Sequence, residues 1–579
     1  MREKISRFFS EHEDLYLILI STLIGVFAGY GNFIFRYLIG FIQRIFYGSD
    51  SEYFLEVLQK TSLLKIVFVP AIGGLIVGII ALIFKSAKGH GVPDVIKVIA
   101  LNRSISPSVA VIKTVSSAIT LGTGGSAGRE GPIVQIGAAL GSGVGRIFKF
   151  SSARMKSAIA AGAAGGLAAT FNAPIGGAMF AAEVLLGEFG IKTFSPIIIS
   201  SVIATVISRA LLGNDVTFFA PPYELKHPVE LLFYIVLGVW CAFVGVIFIK
   251  TFYYFEEKFE KMNIPKFLKP AVGGLLLGII GLFIKEVMGV GYDTIDDILY
   301  GKAPFLLVFI LIFLKMIATS FTLASGGSGG LFVPSLFIGA ASGGFIGTVF
   351  HYLFPSVTAG SGAYGLVAMS AMLAATMRAP LTAILIIFEI TGNYQIILPL
   401  MLSTIIANIA ANAMEKESIF TWILTKQGIK INKGAEEQIL SSIKVKDVML
   451  TDITTFKEDT HFKEILEGIK NAKHIYYPVL SREGYLVGML SLDDIKGVLF
   501  EEGLEDIVVA GEICTRKGLI YVSPEDTLST ALKKLGIKDL GAVPVVEEEN
   551  GKLKLLGLLR RSDIILAYNK AVTRFMENK

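Results

Sequence analysis

The chain has 579 residues, 53% of them hydrophobic and only 17% charged, whereas a typical soluble protein is about 25% charged. That balance excludes a purely soluble nucleotide sensor as a description of the whole chain and predicts a polytopic membrane protein. The net charge of +5 gives no sign of a nucleic-acid partner, and two distant cysteines, Cys241 and Cys514, suggest no disulfide framework.

In chain order, MREKISRFFSEHEDL is too charged to be the apolar core of a cleavable signal, and the apolar run after it is long enough to span. Spans of roughly 20 apolar residues are expected at Leu15–Ile39, Leu63–Phe84, Ile197–Leu212, Leu231–Phe255, Ala271–Ile284 and Phe305–Leu323. Segments Val109–Ile147, Ala158–Leu186, Gly330–Phe354 and Leu366–Ile390 are expected to be short or interrupted by Gly and Pro. Such segments in corresponding places of two halves point to a transporter binding site.

In GHGVPDVI, Gly89 to Ile96, two glycines and Pro93 precede an apolar helix. His90 there could offer a ring N–H to an anion, or simply cap the helix. In SAGREGPIVQIG, Ser126 to Gly137, Pro132 suits a first helical turn and the glycines let the backbone expose N–H groups. A helix N-terminus attracts anions, so Glu130 lies where an anion would lie. A charge at mid-membrane costs roughly 2.5–3.5 kcal/mol on insertion scales, which an anion site would offset. Ionised, Glu130 fills the site; protonated or displaced, it leaves, as a gate does. The plainer reading is an ion pair with Arg129 at a membrane surface. GTGGSAGREG lacks the Lys-Ser/Thr ending of a phosphate loop, and no His/Cys/Asp/Glu cluster has metal-ligand spacing.

The hydrophobic part is duplicated. PAIGGLIVGIIALIF from Pro70 matches PAVGGLLLGIIGLFI from Pro270. IKTVSSAITLGTGGSAGREGPIVQIG from Ile112 matches LKMIATSFTLASGGSGGLFVPSLFIG from Leu314, and LAATFNAPIGG from Leu167 matches LAATMRAPLTA from Leu373. Phe332 stands where the first half has Glu130, and Pro334 opens the paired helix. An odd number of spans per half would make the repeat inverted.

After Leu424 charges become dense. HIYYPVLSREGYLVGMLSLDDI from His474 and GAVPVVEEENGKLKLLGLLRRSDII from Gly541 each read as strand, turn, strand and helix, preceded by an amphipathic helix. The expected layout is a membrane domain at 1–426, with halves at about 15–215 and 228–424, a linker at 427–443, and tandem α/β modules at 444–500 and 509–571.

These motifs resemble the CLC chloride channel and transporter family, with a C-terminal pair of CBS domains. The carriers are GREGP at Gly128–Pro132, GLFVP at Gly330–Pro334 and GHGVP at Gly89–Pro93, the last standing for the family's GSGIP. The resemblance implies an all-α membrane domain built as an inverted repeat with broken helices, an α/β CBS pair on the cytoplasmic side, and a homodimer with one anion pathway per subunit. It makes Glu130 the gating glutamate and has backbone amides around Gly131, Leu331 and Phe332 line the pathway for chloride. His90 replaces the central serine, and Phe420 replaces the inner-gate tyrosine, whose hydroxyl a phenyl ring cannot supply.

Exchangers of the family carry a second, inner glutamate. In FNAPIGGAMFAAEV from Phe171, Glu183 matches the preceding glutamate and Val184 takes the proton position. Valine relays no proton, so the resemblance favours a voltage- or proton-gated passive chloride channel. The alternative is an anion/proton exchanger with a non-glutamate proton route, for which His90 is a candidate. Glu183 reads as structural, because Glu389 matches it. In the tail, Ser491 and Asp494, and Arg560 and Asp563, fall at the family's nucleotide-binding positions. ATP, ADP or AMP is the ligand implied there, and plain helix capping is the alternative. A cation carrier would want rings of Asp or Glu in its spans; Glu130, Glu183 and Glu389 are the main candidates, and two of them match each other as scaffold, while the intact GREGP gives no support to fluoride specialisation. No cofactor beyond bound chloride and a nucleotide is implied, nor any enzymatic activity. Lys and Arg near the N-terminus, with a polar tail, predict both termini in the cytoplasm and a cell-membrane location.

Overall fold

The computed structural model describes residues 13–187, 189–214, 223, 225–428, 440–470, 475–499, 507–516, 518–537, 540–549 and 551–577. Residues 1–12, whose charges enter the expected orientation, and 429–439 of the expected linker lie outside the described residues. Two compact units form, Met1–Ile431 and Asn432–Lys579.

The first unit is helical: α1 (Glu13–Tyr47), α2 (Phe54–Gln59), α3 (Leu63–Ile83), α4 (Val92–Ala100), α5 (Ser108–Gly122), α6 (Glu130–Ile147), α7 (Ser152–Phe171), α8 (Pro174–Phe180), α9 (Ile191–Leu212), α10 (Glu230–Lys261), α11 (Lys269–Phe283), α12 (Tyr292–Leu299), α13 (Phe305–Ala324), α14 (Phe332–Leu353), α15 (Ser361–Met377), α16 (Pro380–Thr391), α17 (Ile397–Met414) and α18 (Trp422–Lys426). Among the described residues, seven helices are long and apolar enough to cross a membrane. Three of the four segments expected to be interrupted do break. Val109–Ile147 divides into α5 and α6 around the Gly-rich loop, Ala158–Leu186 turns at Asn172 (φ 59°), and Leu366–Ile390 turns at Arg378 (φ 61°).

Three expectations need correction. Gly330–Phe354 is not broken: α14 runs uninterrupted over 22 residues, because Gly339 and Gly343 sit against the α15 backbone rather than in a turn. The span expected at Ala271–Ile284 is a 15-residue helix, too short to cross on its own. A span is instead present at Tyr394–Met414, where the sequence suggested none.

The halves meet about a two-fold axis. Gly128 N donates to Gly330 O at 2.8 Å, and Gly330 N to Gly128 O at 2.7 Å, in an antiparallel bridge. Ser126 N donates to Thr322 Oγ1 at 3.1 Å, and Ser328 N to Thr120 Oγ1 at 3.2 Å. Where α3 crosses α11, a Cβ on Gly74 would collide with the Pro270 carbonyl, and one on Gly274 with the Pro70 carbonyl. Each relation recurs with the halves exchanged, as an inverted repeat requires. One continuous apolar core runs from α1 to the segment containing Leu424.

In the second unit, β1 (Phe456–Lys457) pairs parallel with β2 (Tyr476–Leu480), which pairs antiparallel with β3 (Leu486–Ser491). An antiparallel pair, β4 (Ala542–Glu549) and β5 (Lys552–Arg560), repeats the hairpin. Helices α19 (Phe462–Lys470) and α20 (Leu492–Leu499) flank the first hairpin; α22 (Leu528–Ile537) and α23 (Arg561–Glu577) flank the second, with short α21 (Ala510–Ile513) between them. Each hairpin has its own small apolar core.

Candidate functional site

Glycine geometry draws three loops of the membrane unit together. Gly91 (φ 80°) precedes α4, and a Cβ there would strike the Gly131 carbonyl. A Cβ on Gly131 would in turn strike the His90 carbonyl and approach the Gly330 Cα within 2.8 Å. The N-terminal ends of α4, α6 and α14 therefore converge at His90, Gly131 and Leu331, and helix N-termini are places that attract anions, although the Val92 N–H of α4 is already donated to His90 O at 3.0 Å. Phe332, the first residue of α14, is buried, its ring 5.1 Å from Phe171 and 6.4 Å from Phe180.

Glu130 opens α6 and is fully buried. Its Oε1 accepts a hydrogen bond from the Tyr292 hydroxyl at 2.8 Å and lies 3.8 Å from Arg129 Nε. Its Oε2 has no hydrogen-bond partner among the described residues. The Arg129 guanidinium stacks 5.0 Å above the Tyr292 ring and lies 3.5 Å from the exposed Glu52 carboxylate, which also pairs with Arg36. A cavity of about 80 Å³ opens beside these groups, lined in part by Arg36, Gln43, Glu52, Arg129 and Tyr292. The Arg129 pairing anticipated from sequence is present, but as one member of a network.

His90 is buried, with its ring 5.4 Å from Phe252, and no described residue hydrogen-bonds its ring. Its loop is held by Lys113, whose Nζ donates to Gly89 O at 2.6 Å and Lys88 O at 3.3 Å. Phe420 is buried just before α18. Its neighbour Ile419 bonds Thr376 O through its N–H at 2.8 Å and accepts from the Tyr253 hydroxyl at 2.5 Å. Among the described residues, no ring pairing joins Phe420 to His90 or Phe332.

Val184 lies in a π-helical turn, Ala181–Leu186, that extends α8, and packs partly buried against the core. Wider turns of this kind often mark functional sites. The preceding Glu183 points across the repeat: its carboxylate accepts from Leu381 N (3.2 Å), Thr382 N (2.7 Å) and Thr382 Oγ1 (2.7 Å) at the start of α16. Glu389 returns the arrangement on Ile175 N (2.9 Å) and Gly176 N (2.6 Å) at the start of α8. Among the described residues, no group of His, Cys, Asp and Glu could hold a metal ion.

In the second unit, Asp494 accepts from Ser491 N (2.8 Å) and Ser491 Oγ (2.6 Å) at the start of α20. Asp563 accepts from Arg560 Nε (2.9 Å) and Nη2 (2.7 Å). Those bonds hold the Arg560 guanidinium above its already high ordinary pKa. Both carboxylates are thus engaged locally as helix caps, and a ribose would have to displace those bonds.

Sequence reasoning overlooked Tyr292, Lys113 and Lys315. The lysines stand at one place in the matched runs IKTVSSAITL and LKMIATSFTL, and a charge kept in both copies of an apolar segment is the signal that could have found them.

The sequence matches the voltage-gated chloride channel family over residues 72–412 and the CBS domain twice, at 445–501 and 510–570. It is 30% identical to the chloride channel protein CLC-e of Arabidopsis thaliana, covering 96% of this chain and 88% of that one. It is 32% identical to a putative ClcB-like chloride channel protein of Ralstonia nicotianae, covering 71% and 97%. Among solved structures, the fold resembles a slow cyanobacterial Cl⁻/H⁺ antiporter, with a TM-score of 0.65, 24% identity and coverage of 71% and 97%. It also resembles a eukaryotic CLC transporter, with a TM-score of 0.61, 21% identity and coverage of 95% and 98%.

Proposed function

Because this chain belongs to the voltage-gated chloride channel (CLC) family, whose members move anions through membranes, we propose that it is a passive chloride channel gated by Glu130. The observation that carries the choice of channel over exchanger is Val184. An isopropyl group packed on the core occupies the position where the family resemblance expects an inner proton carrier, and it has no titratable atom. Glu130, buried where three helix N-termini converge, acts as a tethered anion that chloride displaces. His90, Gly131, Leu331, Phe332 and Phe420 form the anion path, with backbone N–H groups as its main donors.

The test is chloride flux from liposomes under an imposed proton gradient. A reversal potential that follows chloride alone supports the channel; one that moves with the proton gradient supports the exchanger. The exchanger is the second reading because the buried His90 ring has no described hydrogen-bond partner, which leaves a ring nitrogen to take up or hand on a proton.

We further propose a homodimer formed through α8, α9, α16 and α17. Ile198, Val202, Val206, Leu398, Ile405 and Ile409 lie exposed there and would be covered by a second copy. The tail is a regulator on the cytoplasmic side, binding an adenine nucleotide between its modules. Such a ligand shifts gating by its difference in affinity between the two gating states.

A further inference from the structure

Tyr292 sits in a frame that leaves its hydroxyl little freedom. It opens α12 behind Gly291 (φ 92°), where a Cβ would meet the Phe337 ring. The preceding loop is fixed from two sides. Lys315 Nζ donates to Val287 O and Gly289 O, each at 3.0 Å. Gly289 N donates to Gly124 O at 3.0 Å, on the same Gly-rich loop that leads into Glu130. The Arg129 guanidinium caps the ring face. The phenol is therefore a stationary donor, and the glutamate opposite it is the movable partner.

Glu130 uses that donor through Oε1 alone, while Oε2 bonds no described residue. The nearest cation, Arg129, is shared with Glu52 and remains 3.8 Å away, too far for a hydrogen bond. That charge-assisted O–H···O bond is the one side-chain hydrogen bond on this carboxylate among the described residues, ahead of lesser contributions from the Arg129 and Glu130 backbone N–H groups.

We propose that Tyr292 is the positioning residue of the gate: its hydroxyl latches the Glu130 carboxylate in the anion path, and chloride must break that latch to enter. This rests on Glu130 being the gate. Because ion and carboxylate compete for one place, the latch raises the chloride concentration needed for half-maximal flux. A hydrogen bond to a charged group is strong enough to change such a competition about tenfold or more.

The experiment is chloride efflux from liposomes carrying the full chain, measured over a range of chloride concentrations for wild type, Tyr292→Phe, Glu130→Gln and the double variant. Phenylalanine keeps the ring beneath Arg129 and so keeps the packing. Tyr292→Phe is expected to lower the half-maximal chloride concentration about tenfold and to raise basal flux, as Glu130→Gln does, with no further change in the double variant. If Glu130→Gln alters flux and Tyr292→Phe does not, the latch is overturned and the gate stands. If Tyr292→Phe acts equally in the Glu130→Gln background, the phenol works on the pathway without the gate, and the proposal fails. If Glu130→Gln behaves as wild type, the gate reading falls and takes the latch with it.

Discussion

Lys113 and Lys315 are the same residue twice. Each is fully buried, each lies on the helix before a Gly-rich loop, and each ammonium donates to the backbone carbonyls of the loop that launches a short helix toward the site: Gly89 O for Lys113 and Gly289 O for Lys315. Among the described residues, neither has a carboxylate within salt-bridge distance. Asp94 acts electrostatically on Lys113 and Asp293 on Lys315, so the two lysines serve chiefly to brace the loops that flank the proposed anion path.

Lys113→Met or Lys315→Met strands carbonyl oxygens while relieving a buried charge. The net loss of stability is expected to be about 1–3 kcal/mol. Chloride flux should fall several-fold more than for a neutral control such as Ile119→Leu on the same helix. Detergent thermal melts and liposome flux measured in parallel separate the two effects. Unchanged flux with lowered stability would make the lysines purely structural.

Glu183 and Glu389 each cap a helix of the other half, so their loss should cost stability without touching selectivity. Glu183→Gln and Glu389→Gln each weaken at least two charge-assisted hydrogen bonds to backbone N–H groups, with an expected cost of about 2 kcal/mol. The melting temperature is the measurement. A change in proton coupling at constant stability would show that Glu183 acts in transport.

Gly274→Val places two methyl groups against the Pro70 carbonyl at the crossing of α3 and α11. Neither backbone can withdraw, because the reciprocal contact at Gly74 holds the same crossing. The expected result is no monodisperse protein in gel filtration, whereas Gly360→Ala, which meets nothing nearby, should behave as wild type.

In the tail, Glu525 pairs with Lys444 and, at 2.7 Å, with Lys446. Hydrogen bonds from the two ammonium groups pull its pKa down to about 2 from 4.5. A depressed carboxylate stabilises the fold above its unfolded value and loses that contribution as pH falls through the folded one. The Glu525→Gln difference in tail unfolding should therefore be constant above about pH 5 and vanish between pH 4.5 and 2. All three side chains are exposed to solvent, so the difference should be small and should shrink in 0.5 M salt. A difference that persists at pH 2 would assign the effect to packing.

The duplication was legible because both copies keep their small residues where backbones touch, as at Gly74 and Gly274. Glu130 was legible as a charge in an apolar, glycine-bounded place. Tyr292 was not, since its partner is remote in sequence and GVGYD has diverged from GHGVP, hiding that both precede equivalent helices. Gly330–Phe354 misled because glycine breaks a helix or lets another helix approach, and only the neighbour, α15, decides which. The Ser491–Asp494 and Arg560–Asp563 spacings were legible, together with helix capping as their plainer use, and the local bonds of both carboxylates are of that kind.

The antiparallel bridge between Gly128 and Gly330 also dictates an order of biosynthesis. The chain emerges N-terminus first, so the loop carrying Glu130 is made long before the segment that satisfies its Gly128 N–H. Until then the glycine face at Gly74 has nothing to press against, and Gly131 has only its first-half neighbours His90 and Gly91. The first half is therefore an obligate waiting intermediate in the bilayer, dependent on lipid or on insertion machinery to shelter it. A message truncated before Gly330 should yield a product for proteolysis, not half a transporter.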